Sequence, residues 1–351
     1  MSRPGLRSAQ ARPVAAAIGL AGIAATSLAG EAGLAIGGII AARLARPKPY
    51  LLTHALAGGS LINGLLALAA AHRVVGWATP RWTFRLLGLF GAGLIGYAFY
   101  VEPRWLETPE VEAKLTNLPA GLDGLRIALI SDLHVGPHFG RPDLARVVAA
   151  TNRLRPDVVA LLGDYVARDP ADAPAAAEAL GRLESRLGTY AVLGNHDYWV
   201  DSRVVTNALT SAGIRLLRNA GVPLERAGGR IWLAGVEDLR WGWPDVQAAL
   251  AGAREGEPVV LLAHNPMTVY RAERLGVPLV LSGHTHGGQI RLPGIGPLIL
   301  PIKDRRLAQG LRQIGRTNIY ITRGVGVGTP PVRLGVRPEI TLLVLRSLAA
   351  R

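Results

Sequence analysis

The chain of 351 residues contains no cysteine. A disulfide framework is therefore excluded, and so is thiolate ligation of zinc or of an iron–sulfur cluster. The compartment stays open, because a reducing cytosol and an oxidising periplasm both tolerate a thiol-free chain. Aromatic residues are scarce at 5%, so alanine, leucine, valine and isoleucine carry most of the 49% hydrophobic content. Charge is sparse too, at 18%, against roughly 25% in ordinary soluble domains. Disorder as the main state needs low hydrophobicity and is excluded. The charge that exists is lopsided, with 39 basic residues against 25 acidic ones, a net +14. The basic residues are nearly all arginine and are scattered rather than blocked. That fits an anionic membrane surface better than a nucleic acid, and no nucleic-acid partner is expected.

Charge is most conspicuously missing from the first hundred residues. Thirty residues between Arg12 and Arg43 carry only Glu31, while twenty-four between Lys48 and Arg73 and sixteen between Arg85 and Glu102 carry none. A helix of about 20 apolar residues crosses a ~30 Å hydrocarbon core. The first two runs reach that length. The third is shorter but has Trp82, Phe84, Tyr97 and Tyr100 at its ends, where aromatic belts form. A cleaved signal peptide would account for the first run alone. Residues 1–101 therefore read as an all-α membrane region of about three transmembrane helices, residues 102–114 as a linker, and residues 115–351 as a separate domain. Glu31 is expected to face neighbouring helices or an interface. With the N-terminus inside, basic residues divide six inside to five outside, which leaves orientation open. The expected location is the cell membrane, multi-pass, with an extracytoplasmic catalytic domain as the working placement.

From about Leu115 the texture changes. Short apolar runs at residues 125–130 (LRIALI), 158–162 and 190–193 read as buried strands, and helical patterns follow the first two at 141–154 and 171–187. The order β-α-β-α-β predicts a parallel sheet. Further strands are expected at 231–235, 258–262, 277–281, 289–292, 319–322 and 340–345. Their short glycine- and proline-rich connections predict antiparallel pairing there. The fold class is α/β, with two mixed sheets packed face to face and helices outside.

Polar residues cluster at the ends of these strands: Ser131-Asp132-Leu133-His134, Gly163-Asp164-Tyr165, Gly194-Asn195-His196-Asp197, Ala263-His264-Asn265 and Gly283-His284-Thr285-His286. In an open α/β sheet the carboxyl ends of strands form the ligand crevice. Carboxylate, imidazole and amide oxygen without thiolate suit Mn²⁺, Fe²⁺ or Zn²⁺. Asp132 and His134 alternate, as do His284 and His286, so in extended chain each pair points to one side. With Asp164, Asn195 and His264 they make seven donors, too many for one catalytic ion and suited to two ions that share a carboxylate. A two-metal site clamps the attacking and leaving oxygens of a phosphoryl displacement and makes hydroxide available at neutral pH. Each motif alone is weak; five in order at strand ends are not.

That order resembles the calcineurin-like metallophosphoesterase superfamily. Gly283-His284-Thr285-His286-Gly287-Gly288-Gln289 and Tyr320-Ile321-Thr322-Arg323-Gly324-Val325-Gly326 are similar to its bacterial membrane-linked subgroup. The resemblance covers the chain from about Leu115 onward and implies a four-layer αββα sandwich. It further implies one metal on Asp132, His134 and His286, a second on Asn195, His264 and His284, and Asp164 bridging them. His196 would act at the leaving oxygen as proton donor or positive group, oriented by Asp197. The implied activity is hydrolysis of phosphate ester or pyrophosphate bonds, with a lipid-linked substrate favoured by the membrane region. A UDP-diacylglucosamine pyrophosphatase-like activity is the alternative by analogy. A non-catalytic membrane scaffold would lack ligands or His196, and this chain has them all. Arg323 is a candidate phosphate ligand, His138 a candidate substrate contact, and Tyr198, Trp199, Trp241 and Trp243 candidate rim residues.

Overall fold

The computed structural model describes residues 81–348. The two apolar runs between Arg12 and Arg73, with Glu31, lie outside the described residues. The chain divides into two compact units, Met1–Gly96 and Tyr97–Arg351. The described part of the first is helix α1 (Arg81–Gly96). The helical run Arg85–Arg104 is 20 residues long and is apolar enough to cross a membrane by length and composition.

The second unit is built on two six-stranded sheets. The first holds β1 (Glu110–Leu115), β2 (Arg126–Ile130), β3 (Val158–Leu161), β4 (Thr189–Ala191) and β5 (Arg215–Leu216). The second holds β6 (Ala220–Arg226), β7 (Gly229–Gly235), β8 (Val259–Leu262) and β9 (Leu279–Ser282). A separate hairpin pairs β10 (Arg291–Leu292) with β11 (Gly296–Pro297). Strands β12 (Gly310–Ile314) and β13 (Thr317–Ile321) complete the second sheet, and β14 (Thr341–Ser347) returns to the first. The orders are β1-β14-β2-β3-β4-β5 and β12-β13-β9-β8-β7-β6.

Period-two side-chain direction explains the layering. Ile127 and Leu129 of β2 enter a core shared with Val260, Leu262, Leu279 and Leu281 of the other sheet. Their neighbours Ala128 and Ile130 point the other way, onto α2 (Arg141–Arg153), α3 (Ala173–Leu180) and the helices α4 (Asn195–Val200) and α5 (Ser202–Ser211). On the second sheet Leu261 and Val280 face α6 (Val246–Leu250) and α7 (Val269–Arg274). The result is the expected αββα sandwich, with strands apolar on both faces because both are covered.

Two expectations about this unit need correction. The later strands are largely parallel: β7, β8, β9 and β13 run together, and only the edge pairs β6–β7 and β12–β13 are antiparallel. The crossovers run through α6 and α7, whose five and six residues are too short to show a helical period. The stretch 289–292 forms only the two-residue β10. Residues 102–114 also carry structure of their own. β1 pairs in parallel with β14, and the buried Glu102 accepts the Val336 N–H at 2.6 Å.

Candidate metal centre

The five polar motifs follow β2, β3, β4, β8 and β9, and their side chains meet. Asp132 Oδ1 lies 3.4 Å from His286 Nε2, which is 3.0 Å from His134 Nε2. His134 Nε2 is 3.6 Å from Asp164 Oδ2, and that oxygen is 3.3 Å from His264 Nε2. His264 Nε2 in turn lies 3.3 Å from Asn195 Oδ1 and 3.2 Å from His284 Nδ1. The donor atoms of Asp132, His134 and His286 form one compact group, and those of Asp164, His264 and His284 another. A third group joins His134, Asp164 and His196.

Extended-chain alternation is not what aims the paired ligands. Asp132, His134, Asp164, His284 and His286 all have left-handed backbone, with φ of 56°, 48°, 57°, 73° and 51°. Each such residue costs of order 1 kcal/mol or more. The turns hold because the surroundings over-determine them. Val325 and Gly326 donate their N–H groups to the Ser131 and Asp132 carbonyl oxygens at 3.0 and 2.8 Å. The His284 N–H lies on the Asp132 carboxylate at 3.1 Å. Glycine is required by close approach at Gly194, where a Cβ would collide with Asp164 Oδ1 and stand 2.6 Å from the Asp164 nitrogen.

The electrostatics favour a cation. His264 Nδ1 donates to the Leu162 carbonyl at 2.7 Å, so the neutral ring presents a lone pair at Nε2. That lone pair faces the Asp164 carboxylate and the Asn195 carbonyl oxygen, with His284 Nδ1 at 3.2 Å beside them, a convergence of lone-pair-bearing atoms that suits a cation. Burial lowers His264, but Asp164 outweighs it and raises its pKa to about 10. Burial pushes His134 and His284 down to about 3 and holds His286 well below its ordinary value. These three imidazoles are therefore neutral at pH 7, which is the ligating form. Burial raises Asp132 to about 6, whereas for Asp164 burial is overcome by His264, His134 and His196, holding it well below the usual carboxylate range. The buried His286 Nδ1 has no hydrogen-bond partner among the described residues. Borderline-hard divalent ions match this thiol-free N/O donor set.

His196 is half-buried, with its ring edge-on to His134 at 4.5 Å and against Trp199 at 4.3 Å. Its Nδ1 donates to the Ala167 carbonyl at 2.8 Å. The expected carboxylate orienting it is elsewhere. Asp197 is fully buried and accepts the N–H groups of Gly194, Asp164 and Tyr165 at 2.8–2.9 Å. It is the third residue of α4 and caps the helix start by accepting the N–H of Gly194, the N-cap residue, so its reach is backward to the loops rather than to the imidazole. Burial and Asp164 push its carboxyl up to about 7, against the pull of those amides.

Two candidate substrate contacts lie apart from these groups. Arg323 is committed to carboxylates: Nε donates to Glu339 at 2.6 Å and Nη2 to Glu107 at 2.9 Å, so its fork is already filled. His138 is exposed in the turn closed by Gly136 N–H to Phe139 O at 3.0 Å and does not line the cavity above the metal ligands. That cavity, of about 380 Å³, has His134, Asp164, His196 and His284 in its floor and Trp199, Trp241, Leu298 and Ile299 in its walls. Arg240 and Ile299 had no sequence signal, because each sits in a loop without a motif.

Sandwich and strand-end cluster together define a metallohydrolase of the αββα class. The chain belongs to the calcineurin-like phosphoesterase family, whose model matches residues 125–288. It is similar to the metallophosphoesterase YkuE of Bacillus subtilis, 35% identical over 277 residues, covering 75% of this chain and 96% of that one. It is similar to the phosphodiesterase YaeI of Escherichia coli, 32% identical over 254 residues, 71% and 92% of the two chains. A transmembrane protein with metallophosphoesterase domain from Danio rerio is 39% identical over 304 residues, 82% and 68%. The chain is thus a phosphoric ester hydrolase of a family that uses divalent metals. The transmembrane relative and the apolar run Arg85–Arg104 point to membrane association.

Proposed function

We propose that the protein is a membrane-associated phosphoesterase holding two divalent ions, Mn, Fe or Zn. Asp132, His134 and His286 would hold one, Asn195, His264 and His284 the other, and Asp164 both. The carrying observation is the His264 Nε2 lone pair turned onto the Asp164 and Asn195 oxygens. When bound, the ions supply Lewis acidity towards the phosphoryl oxygens and towards the attacking water. His196 delivers a proton to the leaving oxygen from Nε2, its Nδ1–H being held by the Ala167 carbonyl. Asp197 is a positioning residue, tying the Gly163-Asp164 loop to the start of α4.

The cavity walls are mostly apolar side chains, which supports a phosphoester or pyrophosphate with an apolar, lipid-linked portion. UDP-diacylglucosamine pyrophosphatase-like chemistry is the second reading, favoured by the same walls. In this proposal residues 1–101 form the multi-pass membrane region, residues 102–114 the connection, whose end already contributes β1 to the first sheet, and residues 115–351 the rest of the catalytic domain, on the extracytoplasmic side.

The test is His196→Ala in the full chain. Bound metal, measured by elemental analysis, should be unchanged, and kcat on a phosphodiester under Mn²⁺ should fall by roughly 10²–10⁴. Full activity refutes the role of His196. Activity on detergent-dispersed lipid pyrophosphates should exceed that on soluble phosphodiesters; the reverse order sinks the lipid assignment.

A further inference from the structure

The mouth of the cavity is made of side chains that water solvates poorly. Trp243 is 87% exposed, Ile299 79%, Ile295 68%, and Trp199 and Trp241 52% each. Scattered singly, such residues mean little, but four of these line one cavity and the groove beside it. The rings of Trp199 and Trp241 meet edge to face at 5.7 Å, and both line the cavity with Ile299. Ile295 lies in the tip between β10 and β11, and the Leu298 N–H donating to Ile290 O at 3.0 Å folds that hairpin onto the same wall. Beyond Trp241 the surface continues into a groove of about 590 Å³ that holds Arg240, Arg271, Arg274 and Trp243. Among the described residues these three arginines form no ion pair, Arg271 Nη1 donating to the Pro244 carbonyl at 2.6 Å, whereas Arg306 pairs with Asp304 and Arg218 with Glu237.

We infer that this face docks on an anionic bilayer, so that the catalytic cavity opens at the headgroup level. The inference deepens the proposed function and rests on its reading of an amphiphilic phosphoester substrate. Indole rings favour the membrane–water interface, and aliphatic tips such as Ile295 and Ile299 reach the acyl boundary about 5–10 Å deeper. Arginine forks pair with lipid phosphates, and each is worth roughly fivefold in partitioning near an anionic leaflet. A substrate then enters the cavity without exposing its chains to water. A second copy of the chain is the poorer occupant, because a two-fold interface sets this arginine-bearing patch against itself.

The absence of cysteine makes the test clean. The full chain is placed in nanodiscs of phosphatidylcholine, with or without phosphatidylglycerol, and carries one spin label, at Ile299→Cys or at the control position Glu184→Cys. With phosphatidylglycerol present, the label at 299 should become accessible to oxygen and shielded from a water-soluble nickel chelate, while that at 184 stays chelate-accessible. Adding Arg271→Glu and Arg274→Glu, both at exposed positions, should lower the shielded fraction by at least roughly tenfold. Equal chelate access at 299 in both lipids overturns the inference. Shielding that persists in detergent with spin–spin broadening also overturns it, in favour of a second copy. Hydrolysis of a soluble phosphodiester by the Glu184→Cys sample, labelled away from the cavity, reads the catalytic proposal separately: its absence defeats that proposal and leaves a lipid-dependent shielding at 299 as support for docking.

Discussion

Single residues in this protein do their work by filling hydrogen bonds that nothing else can fill, and Arg333 is the strongest case. It is fully buried, and its partners are backbone carbonyls. Nε and Nη2 donate to Gly326 O, and Nη2 also to Arg323 O at 2.9 Å and Gly324 O at 3.1 Å. The loop so gathered is the one whose Val325 and Gly326 N–H groups hold the carbonyls of Ser131 and Asp132. Arg333 thereby positions a proposed metal ligand without touching a reacting atom. Arg333→Met leaves several buried carbonyls without a donor, each worth about 1–3 kcal/mol. The expected outcome is a lower urea midpoint together with weaker metal binding by titration calorimetry, with Arg333→Lys recovering part of both. Metal affinity equal to wild type in a folded Met variant would remove this role.

At the level of elements, the centre depends on loops that approach each other closely because glycine leads them. Gly163, at φ 97°, and Gly194 stand so near that a Cβ on Gly163 would lie 2.5 Å from the Gly194 nitrogen. Gly194 itself precedes α4, whose third residue is Asp197. Gly194→Ala drives a methyl group into Asp164 and His264. Overpacking of that kind costs typically about 1–3 kcal/mol, and here it displaces the carboxylate proposed to serve both ions. Loss of metal at unchanged secondary structure, read by elemental analysis and circular dichroism, is the expected result; full occupancy would mean that the loops have slack. The motif spellings around these glycines were legible in the sequence. The left-handed turns were not, since a short motif carries no sign of its own φ angles. Likewise α6 and α7 were too short to announce themselves, and with them went the parallel direction of β7, β8 and β9.

Across the second unit as a whole, its opening segment is fastened by charge. Glu107 pairs with Arg323 at 2.9 Å and with Arg337 at 2.8 Å, and Arg337 also lies over the Trp105 ring at 3.8 Å. Burial pushes the Glu107 carboxyl up, but the two guanidinium groups outweigh it and hold it below its ordinary 4.5. A depressed folded pKa means that the stabilisation is present above about pH 4.5 and is lost as pH falls through the folded value. Because the network is partly exposed, its worth is modest. Glu107→Gln should therefore lower stability at pH 7 and converge on wild type in acid, once the pH has fallen through the folded value, in urea unfolding. An equal deficit at pH 7 and in acid would show that packing rather than charge is responsible.

Residue type and period alone dictated the chemistry and the layers: strands apolar on both faces, five polar motifs at their ends, and a donor set without sulfur that only N/O-loving cations match. Those properties survive without coordinates. Which side chain meets which is a matter of long-range packing. Arg323 turned to Glu339 and Glu107, Asp197 turned to backbone amides, His196 turned to a carbonyl, and apolar residues without any motif gathered at the cavity mouth. Each of those outcomes is a choice among partners distant in the chain, and it is the fold that brings the winning partner within hydrogen-bonding or van der Waals reach.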